Sequence, residues 1–426
     1  MKVIKNIRIY DFEQYIENGY VLFDDSIQEV GKMKNYKEYN CEVIDGQNML
    51  LLPNLVNAHS HIYSTFARGL NVLYNPKNFK EILEQLWWKL DRNIDNETTY
   101  YSGIASAHHY LRHGVTTIID HHASGEIIGS LDALDKALSK YNIKNVLCFE
   151  TSDRFDIDDC IKENLSNIKK RKGLFGLHAA FTLSDESLEK VAEVIKDTPI
   201  HIHVAESKYD QEFSMRHFGK SVIERLNDFG LINPNSIITH GLYLSDNELD
   251  IIKEKQAVIA LNVTSNMNNS VGLPNYQRMK DKGIKVIIGN DGINQQMAKE
   301  YVSLFFSQHH FDQTPTKFGY DDLVNIINNT YDYASQILQK KLGKIKNGYC
   351  ADFQLLEYIE PTPINKDNIM GHLLFGLFND FVPNDVYIDG QLMVQNNHVL
   401  VDNTDYLKSK DSARKLWKRI EKEGRL

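Results

Sequence analysis

The chain has 426 residues, of which 42% are hydrophobic and 25% charged, with a formal net charge of −9. These are ordinary values for a soluble globular protein, and no stretch offers the eighteen or more apolar residues of a membrane span. The acidic balance gives no electrostatic reason to bind nucleic acid, so small-molecule chemistry is the first expectation.

The amino terminus, from Met1 to Asn6, carries no apolar core with a small-residue cleavage site, and a cytoplasmic home is expected. The first fifty residues read as short strands, Val3 to Tyr10, Gly19 to Phe23, Ile27 to Val30 and Cys41 to Ile44, with no helix of useful length between them. From there apolar runs of four to seven residues alternate with helical stretches, the pattern of a parallel sheet. Eight runs can be counted: Leu51 to Val56, Val115 to Ile119, Lys144 to Phe149, Gly173 to Leu177, Pro199 to Val204, Ser236 to Thr239, Ala257 to Leu261 and Lys285 to Ile288. Eight such units close most naturally into a (β/α)₈ TIM barrel of about 250 residues. Strand texture returns at Ala351 to Leu356 and Asp385 to Gly390.

The two ends are each too thin in apolar residues to stand alone and are expected to pair. The expected domains are a composite β-sandwich from residues 1–53 and 345–402, a barrel over 54–344, and a C-terminal helix over 403–426. The charge-rich stretches Lys162 to Lys172 and Ser409 to Leu426 read as solvated helix faces.

Reactive groups of a barrel lie at the carboxyl ends of its strands. The sequence follows that rule. His59 and His61 follow the first run, Asp120, His121 and His122 the second, Glu150 and Thr151 the third; His178 ends the fourth. The fifth carries His201 and His203 with Glu206 beyond, the sixth ends at His240, and the eighth leads into Asn290 and Asp291. The four cysteines, Cys41, Cys148, Cys160 and Cys350, have no CxxC spacing, which argues against a thiolate metal site or a disulfide framework.

Imidazole is a borderline ligand suited to zinc or iron, and two imidazoles one residue apart can turn toward one cation. His203 and Asp291 would complete four protein ligands with a position left for water. An ion held there lowers the pKa of its water from about 15.7 toward about 7. Glu206 is placed to carry protons, a role worth about 10² to 10⁴-fold, and His240 to orient the attacking oxygen. One divalent ion is therefore expected, zinc first, with iron or manganese as alternatives.

Several motifs resemble a known family. Leu52-Pro53-Asn54-Leu55-Val56-Asn57-Ala58-His59-Ser60-His61 is similar to the opening metal motif of amidohydrolases. His201-Ile202-His203-Val204-Ala205-Glu206, Thr239-His240-Gly241 and Gly289-Asn290-Asp291-Gly292 resemble later motifs of the cytosine, guanine and triazine deaminase branch, and Gly343 to Gly348 with Ala351-Asp352 its return to the β-domain. A narrower likeness lies in Leu86 to Arg92, Asp120 to Ser124, Phe149 to Arg154 and Ser265 to Asn269, which resemble the aminohydrolases of the SsnA group, found with purine-catabolic systems. The resemblance implies His59, His61, His203 and Asp291 as metal ligands, Glu206 as proton shuttle, His240 as base, and His178 as a substrate contact. It also implies a homodimer.

Many two-metal members of that family need a lysine at the end of the fourth strand, and Gly176-Leu177-His178-Ala179 has none, which favours one metal. The loop Asn262-Val263-Thr264 departs from the branch in lacking a proline before the threonine. His121, His122, Arg154 and Trp88, with Arg68 and Trp87, are expected to meet a planar heterocycle; His108, His109 and His113 are assigned no role. The expected reaction is hydrolysis of a C–N bond in a purine- or pyrimidine-like ring, deamination first, with ring opening, dechlorination or a metal-free scaffold as the competing readings.

Overall fold

A computed structural model describes residues 1–423; the last three residues of the expected C-terminal helix, 424–426, lie outside the described residues. Five strands open the chain: β1 (Lys2–Tyr10), β2 (Tyr15–Phe23), β3 (Ile27–Lys32), β4 (Glu42–Asp45) and β5 (Leu50–Pro53). Eight follow in the middle: β6 (Leu55–Ser60), β7 (Val115–His122), β8 (Lys144–Phe149), β9 (Phe175–Ala179), β10 (Ile200–Val204), β11 (Ile237–His240), β12 (Val258–Leu261) and β13 (Val286–Ile288). Four more close the chain: β14 (Phe353–Leu356), β15 (Asp385–Ile388), β16 (Gln391–Gln395) and β17 (His398–Val399).

The middle eight form the barrel. They pair in parallel as β6-β7-β8 and β9 through β13, and the two ladders are joined by the parallel bridges Leu147↔Gly173, Thr151↔Leu177 and Ser60↔Asp291. Alternate residues point to opposite faces of a strand. Ile119, Val146, Cys148, Ile237, Ala260 and Ile287 accordingly pack in one buried cluster, and Ile118, Leu147, Phe149, Ile238, Leu261 and Ile288 in another that includes the helices. Burial on both faces is why these strands read as continuous apolar runs.

The first expected strand, Leu51 to Val56, is in fact two. Leu50–Pro53 joins the end sheet, pairing antiparallel with β14, while Leu55–Ser60 enters the barrel. The second runs three residues further than expected, so Asp120, His121 and His122 belong to the strand itself.

The remaining strands make one ladder ordered β17-β16-β15-β14-β5-β1-β2-β3, with β4 alongside β1. Its edge turns back on itself: Ile27 donates to the Tyr349 carbonyl and accepts from Gly348 N–H, both at 2.8 Å, and Ser26 bridges Cys350. The two faces thus enclose a core of their own, in which Phe23 meets Phe353 edge-on with ring centroids 4.9 Å apart. The helix Thr404–Glu423 lays Ser412, Leu416 and Ile420 on the barrel beside Tyr63, Phe66 and Leu90, and Trp417 Nε1 donates to the Phe66 carbonyl at 2.7 Å. No helix among the described residues is long and apolar enough to cross a membrane.

Candidate active site

The carboxyl ends of β6, β10, β11 and β13 bring His59, His61, His203, His240 and Asp291 together. His61 Nε2 lies 3.1 Å from His203 Nε2 and 3.0 Å from Asp291 Oδ1, and His59 Nε2 lies 3.7 Å from the same oxygen. Backbone geometry locks the carboxylate in place, since Asn290 N–H and Asp291 N–H both donate to the His59 carbonyl, at 3.1 and 3.0 Å. Asp291 and His240 are held in the left-handed region, at φ 57° and 73°. Such strain costs about 1–3 kcal/mol per residue and gathers at functional sites.

Each of the three imidazoles is fixed from behind. His61 Nδ1 donates to the His121 carbonyl at 2.7 Å and His203 Nδ1 to the His178 carbonyl at 2.8 Å. His59 Nδ1 meets His201 Nε2 at 2.8 Å, and His201 Nδ1 in turn reaches Cys148 Sγ, which donates to the Asp120 carbonyl. In all three rings Nδ1 carries the proton and Nε2 presents a lone pair to the centre, the arrangement of metal-ligating histidines. His59 Nε2 is buried with no hydrogen-bond partner. Imidazoles sharing one ion at about 2.0–2.1 Å stand roughly 3.0–3.4 Å apart, nitrogen to nitrogen, as His61 and His203 do. The donor set therefore fits a divalent cation.

Glu206 and His240 adjoin this cluster. His240 Nε2 is 3.5 Å from Glu206 Oε2 and 3.9 Å from Asp291 Oδ2. Asn266 Nδ2 donates to His240 Nδ1 at 2.9 Å, which leaves the ring proton on Nε2, facing both carboxylates. Burial, then the neighbouring Asp291 and Asp210 carboxylates, push the Glu206 carboxyl well above its ordinary range. Asn269 Nδ2 donates to Glu206 Oε1 at 3.2 Å, and Ser265 Oγ to Asp291 Oδ2 at 2.5 Å.

These groups form one end of a cavity walled by Tyr63, Trp87, Trp88, Asp91, Glu150, His178 and Phe181 among others. One helical stretch supplies much of the wall. A wide turn over Leu83–Trp87 adds a residue to the helix between Phe79 and Asp91, so that Phe79, Leu83, Trp87, Trp88 and Asp91 all reach the cavity.

Of the expected substrate contacts, His178, Trp87 and Trp88 line the cavity; His121, His122, Arg154 and Arg68 do not. His121 lies beneath it, stacked on His201 with centroids 4.4 Å apart and grouped with His59, His61 and His203. His122, one residue on, points to the other face of β7 and reaches Thr99 Oγ1 at 3.4 Å. Arg154 donates to Asp91 Oδ2 at 2.6 Å and lies over the Trp88 ring at 5.1 Å, so it buttresses the wall from behind. Arg68 is bonded to Gln295. Sequence reasoning gave no role to Glu150, although it stands at the end of the third barrel strand, nor to Asp91, Tyr63 or Asp210. Asp210 accepts from Glu206 N–H at 3.0 Å, one helical turn onward.

The model of the Amidohydrolase family matches residues 50–393. The chain is 27% identical to 5'-deoxyadenosine deaminase of Methanocaldococcus jannaschii, across 94% of this chain and 95% of that protein. It is also 27% identical to 5-methylthioadenosine/S-adenosylhomocysteine deaminase of Clostridium tetani, across 88% and 89%. Among solved structures it resembles a zinc-bound adenosine deaminase from Xanthomonas campestris, with a TM-score of 0.84 at 18% identity over 99% of this chain and 98% of that one. The zinc complex of atrazine chlorohydrolase from Arthrobacter aurescens gives 0.82 at 19% identity over 98% and 100%. The chain belongs to the Amidohydrolase family and is a hydrolase of carbon–nitrogen bonds.

Proposed function

We propose that this protein is a single-metal aminohydrolase that deaminates a purine- or pyrimidine-like heterocycle. The observation that carries the reading is the gathering of three imidazole Nε2 atoms, each with its Nδ1 proton committed elsewhere: those of His59 and His61 face Asp291 Oδ1 at 3.7 and 3.0 Å, and that of His203 lies 3.1 Å from His61 Nε2. His59, His61, His203 and Asp291 hold one divalent ion, with zinc favoured by the zinc-bound neighbours and iron or manganese compatible with the same donors. The end of β9 reads His178-Ala179 and offers no lysine to bridge a second ion.

When bound, the ion supplies Lewis-acid activation of water at neutral pH. Glu206 takes a proton from the attacking water and delivers it to the departing nitrogen, so the C–N bond breaks with release of ammonia. His240 Nε2–H, facing Glu206 and Asp291, orients the attacking oxygen. His178 and Trp88 bind the ring, Trp88 held in place by Arg154. The relatives named for adenosine-type nucleosides support a substrate with an exocyclic amine, and the likeness to the SsnA group supports a place in purine catabolism. In this reading residues 1–53 and 345–402 form the supporting β-domain, 54–344 the catalytic barrel and 403–426 a C-terminal helix, whose described part, Thr404–Glu423, braces the barrel.

The test is incubation of the metal-loaded protein with 5'-deoxyadenosine, guanine, cytosine, xanthine, dihydropyrimidines and oxidised purines, following ammonia and ring absorbance together. Metal-dependent ammonia release is expected. Ring loss without ammonia overturns deamination in favour of ring opening, and a folded protein that takes up no metal overturns the hydrolytic site altogether.

A further inference from the structure

Beyond the metal-binding end, the cavity wall holds two acceptors that face each other with no protein donor between them. Thr182 Oγ1 donates its single proton to the Ala179 carbonyl at 2.8 Å, so toward His178 Nδ1, 3.0 Å away, it can only accept. The His178 proton is therefore on Nδ1, and Nε2 is a bare lone pair. That nitrogen lies 3.9 Å from Glu150 Oε2, too far for a direct hydrogen bond.

Glu150 is 2% exposed, yet no side chain or backbone N–H among the described residues donates to its carboxylate. His61 Nδ1 approaches Oε1 to 3.4 Å but gives its proton to the His121 carbonyl, and His121 Nδ1 stops 3.7 Å short of the same oxygen, beyond direct hydrogen-bond reach. Arg154 gives Nη1 to Asp91 at 2.6 Å, and its Nη2, 3.7 Å from Oε2, stands beyond direct hydrogen-bond reach of Glu150. A buried carboxylate without donors is costly unless something else supplies them.

The charge pattern narrows what that is. Asp91, Glu150, Glu206, Asp210 and Asp291 line the cavity, and no lysine or arginine does. A divalent ion would offset two charges at its own end. At the other end Arg154 is the cation set against the two carboxyls of Asp91 and Glu150.

We propose that Glu150 and His178 Nε2 form an acceptor pair for the N–H or O–H donors of an uncharged or cationic heterocycle, so that the cavity refuses phosphorylated and carboxylate-bearing forms. This deepens the aminohydrolase reading and rests on it for the reacting end of the substrate.

Calorimetric titration of the zinc-loaded protein with adenosine, guanosine and cytosine, against adenosine 5'-monophosphate, guanosine 5'-monophosphate and orotate, tests it. At least one uncharged compound is expected to bind, its anionic counterpart at least tenfold more weakly. Glu150→Gln keeps the shape but exchanges an acceptor for a donor and removes the charge. It is expected to weaken the uncharged ligand at least tenfold and to shrink the penalty on the anion, with metal content unchanged. Binding of none of the uncharged compounds, equal binding of the anions, or a Glu150→Gln affinity within twofold of the parent overturns the proposal. Should that variant fail to fold, the comparison on the unmutated protein decides. Ammonia is scored separately: the expected binding preference without ammonia release sinks the aminohydrolase reading and leaves the acceptor pair standing.

Discussion

Glu206 has the surroundings of a group that must hold a proton and give it up: it is buried, beside the Asp291 and Asp210 carboxylates, and 3.5 Å from His240 Nε2. Its carboxyl is not among the converging Nε2 and Asp291 donors, so replacing it should separate proton transfer from metal binding. Glu206→Gln is expected to lower ammonia release by about 10² to 10⁴-fold with metal content unchanged, whereas His61→Ala loses both. Paired metal analysis and turnover check this, and a Gln variant retaining a tenth of the activity removes Glu206 from the reaction. These residues were legible because strand-end histidines and acids stand out against apolar runs. The neighbours His121 and His122 were not separable in the same way. Successive strand residues face opposite sides, so one points under the His59, His61 and His203 imidazoles and the other to Thr99, but the phase depends on a register with β6 and β8 that sequence does not carry.

The seam between β6 and β13 shows how closely the elements serve the site. It is bridged by Ser60 and Asp291, and Gly289 runs against the backbone of His59. A Cβ there would lie 2.5 Å from His59 N and 2.6 Å from its carbonyl oxygen, atoms that cannot swing aside. Gly289→Ala is expected to cost about 1–3 kcal/mol through overpacking and, because His59 and Asp291 both shift, to reduce bound metal per folded chain. Denaturant unfolding with metal analysis measures both, and unaltered occupancy would show that the seam does not set ligand position. The barrel strands could be read from apolar run length alone. The split at Asn54 could not, since that single polar residue barely interrupts the apolar stretch from Leu50 to Val56, and its division follows from the distant partner β14. The wide turn at Leu83–Trp87 was equally hidden, because it changes helix phase without any glycine or proline to mark it.

At the scale of the whole molecule, the candidate ligands come from strands on both sides of the ring's joints: His59 and His61 from the three-stranded ladder, His203 and Asp291 from the five-stranded one and the turn after it. A cation held by all four ties the two ladders across a seam that backbone pairing closes with a single isolated bridge. Binding to the folded state alone stabilises by about 4 kcal/mol when free ion exceeds Kd by 1,000-fold. Unfolding entropy of about 2.1 cal/mol/K per residue amounts to roughly 0.9 kcal/mol/K for a chain of this length, so stripping the metal should lower Tm by about 4–5 °C. Restoring zinc should return both the Tm and ammonia release. His61→Ala should already lie near the stripped value and respond little to chelator. A chelator shift of equal size in the variant would place the stabilising ion elsewhere, for example at the Asp352 and Asp389 carboxylates, where Lys144 Nζ already supplies the cation at 2.8 and 3.0 Å.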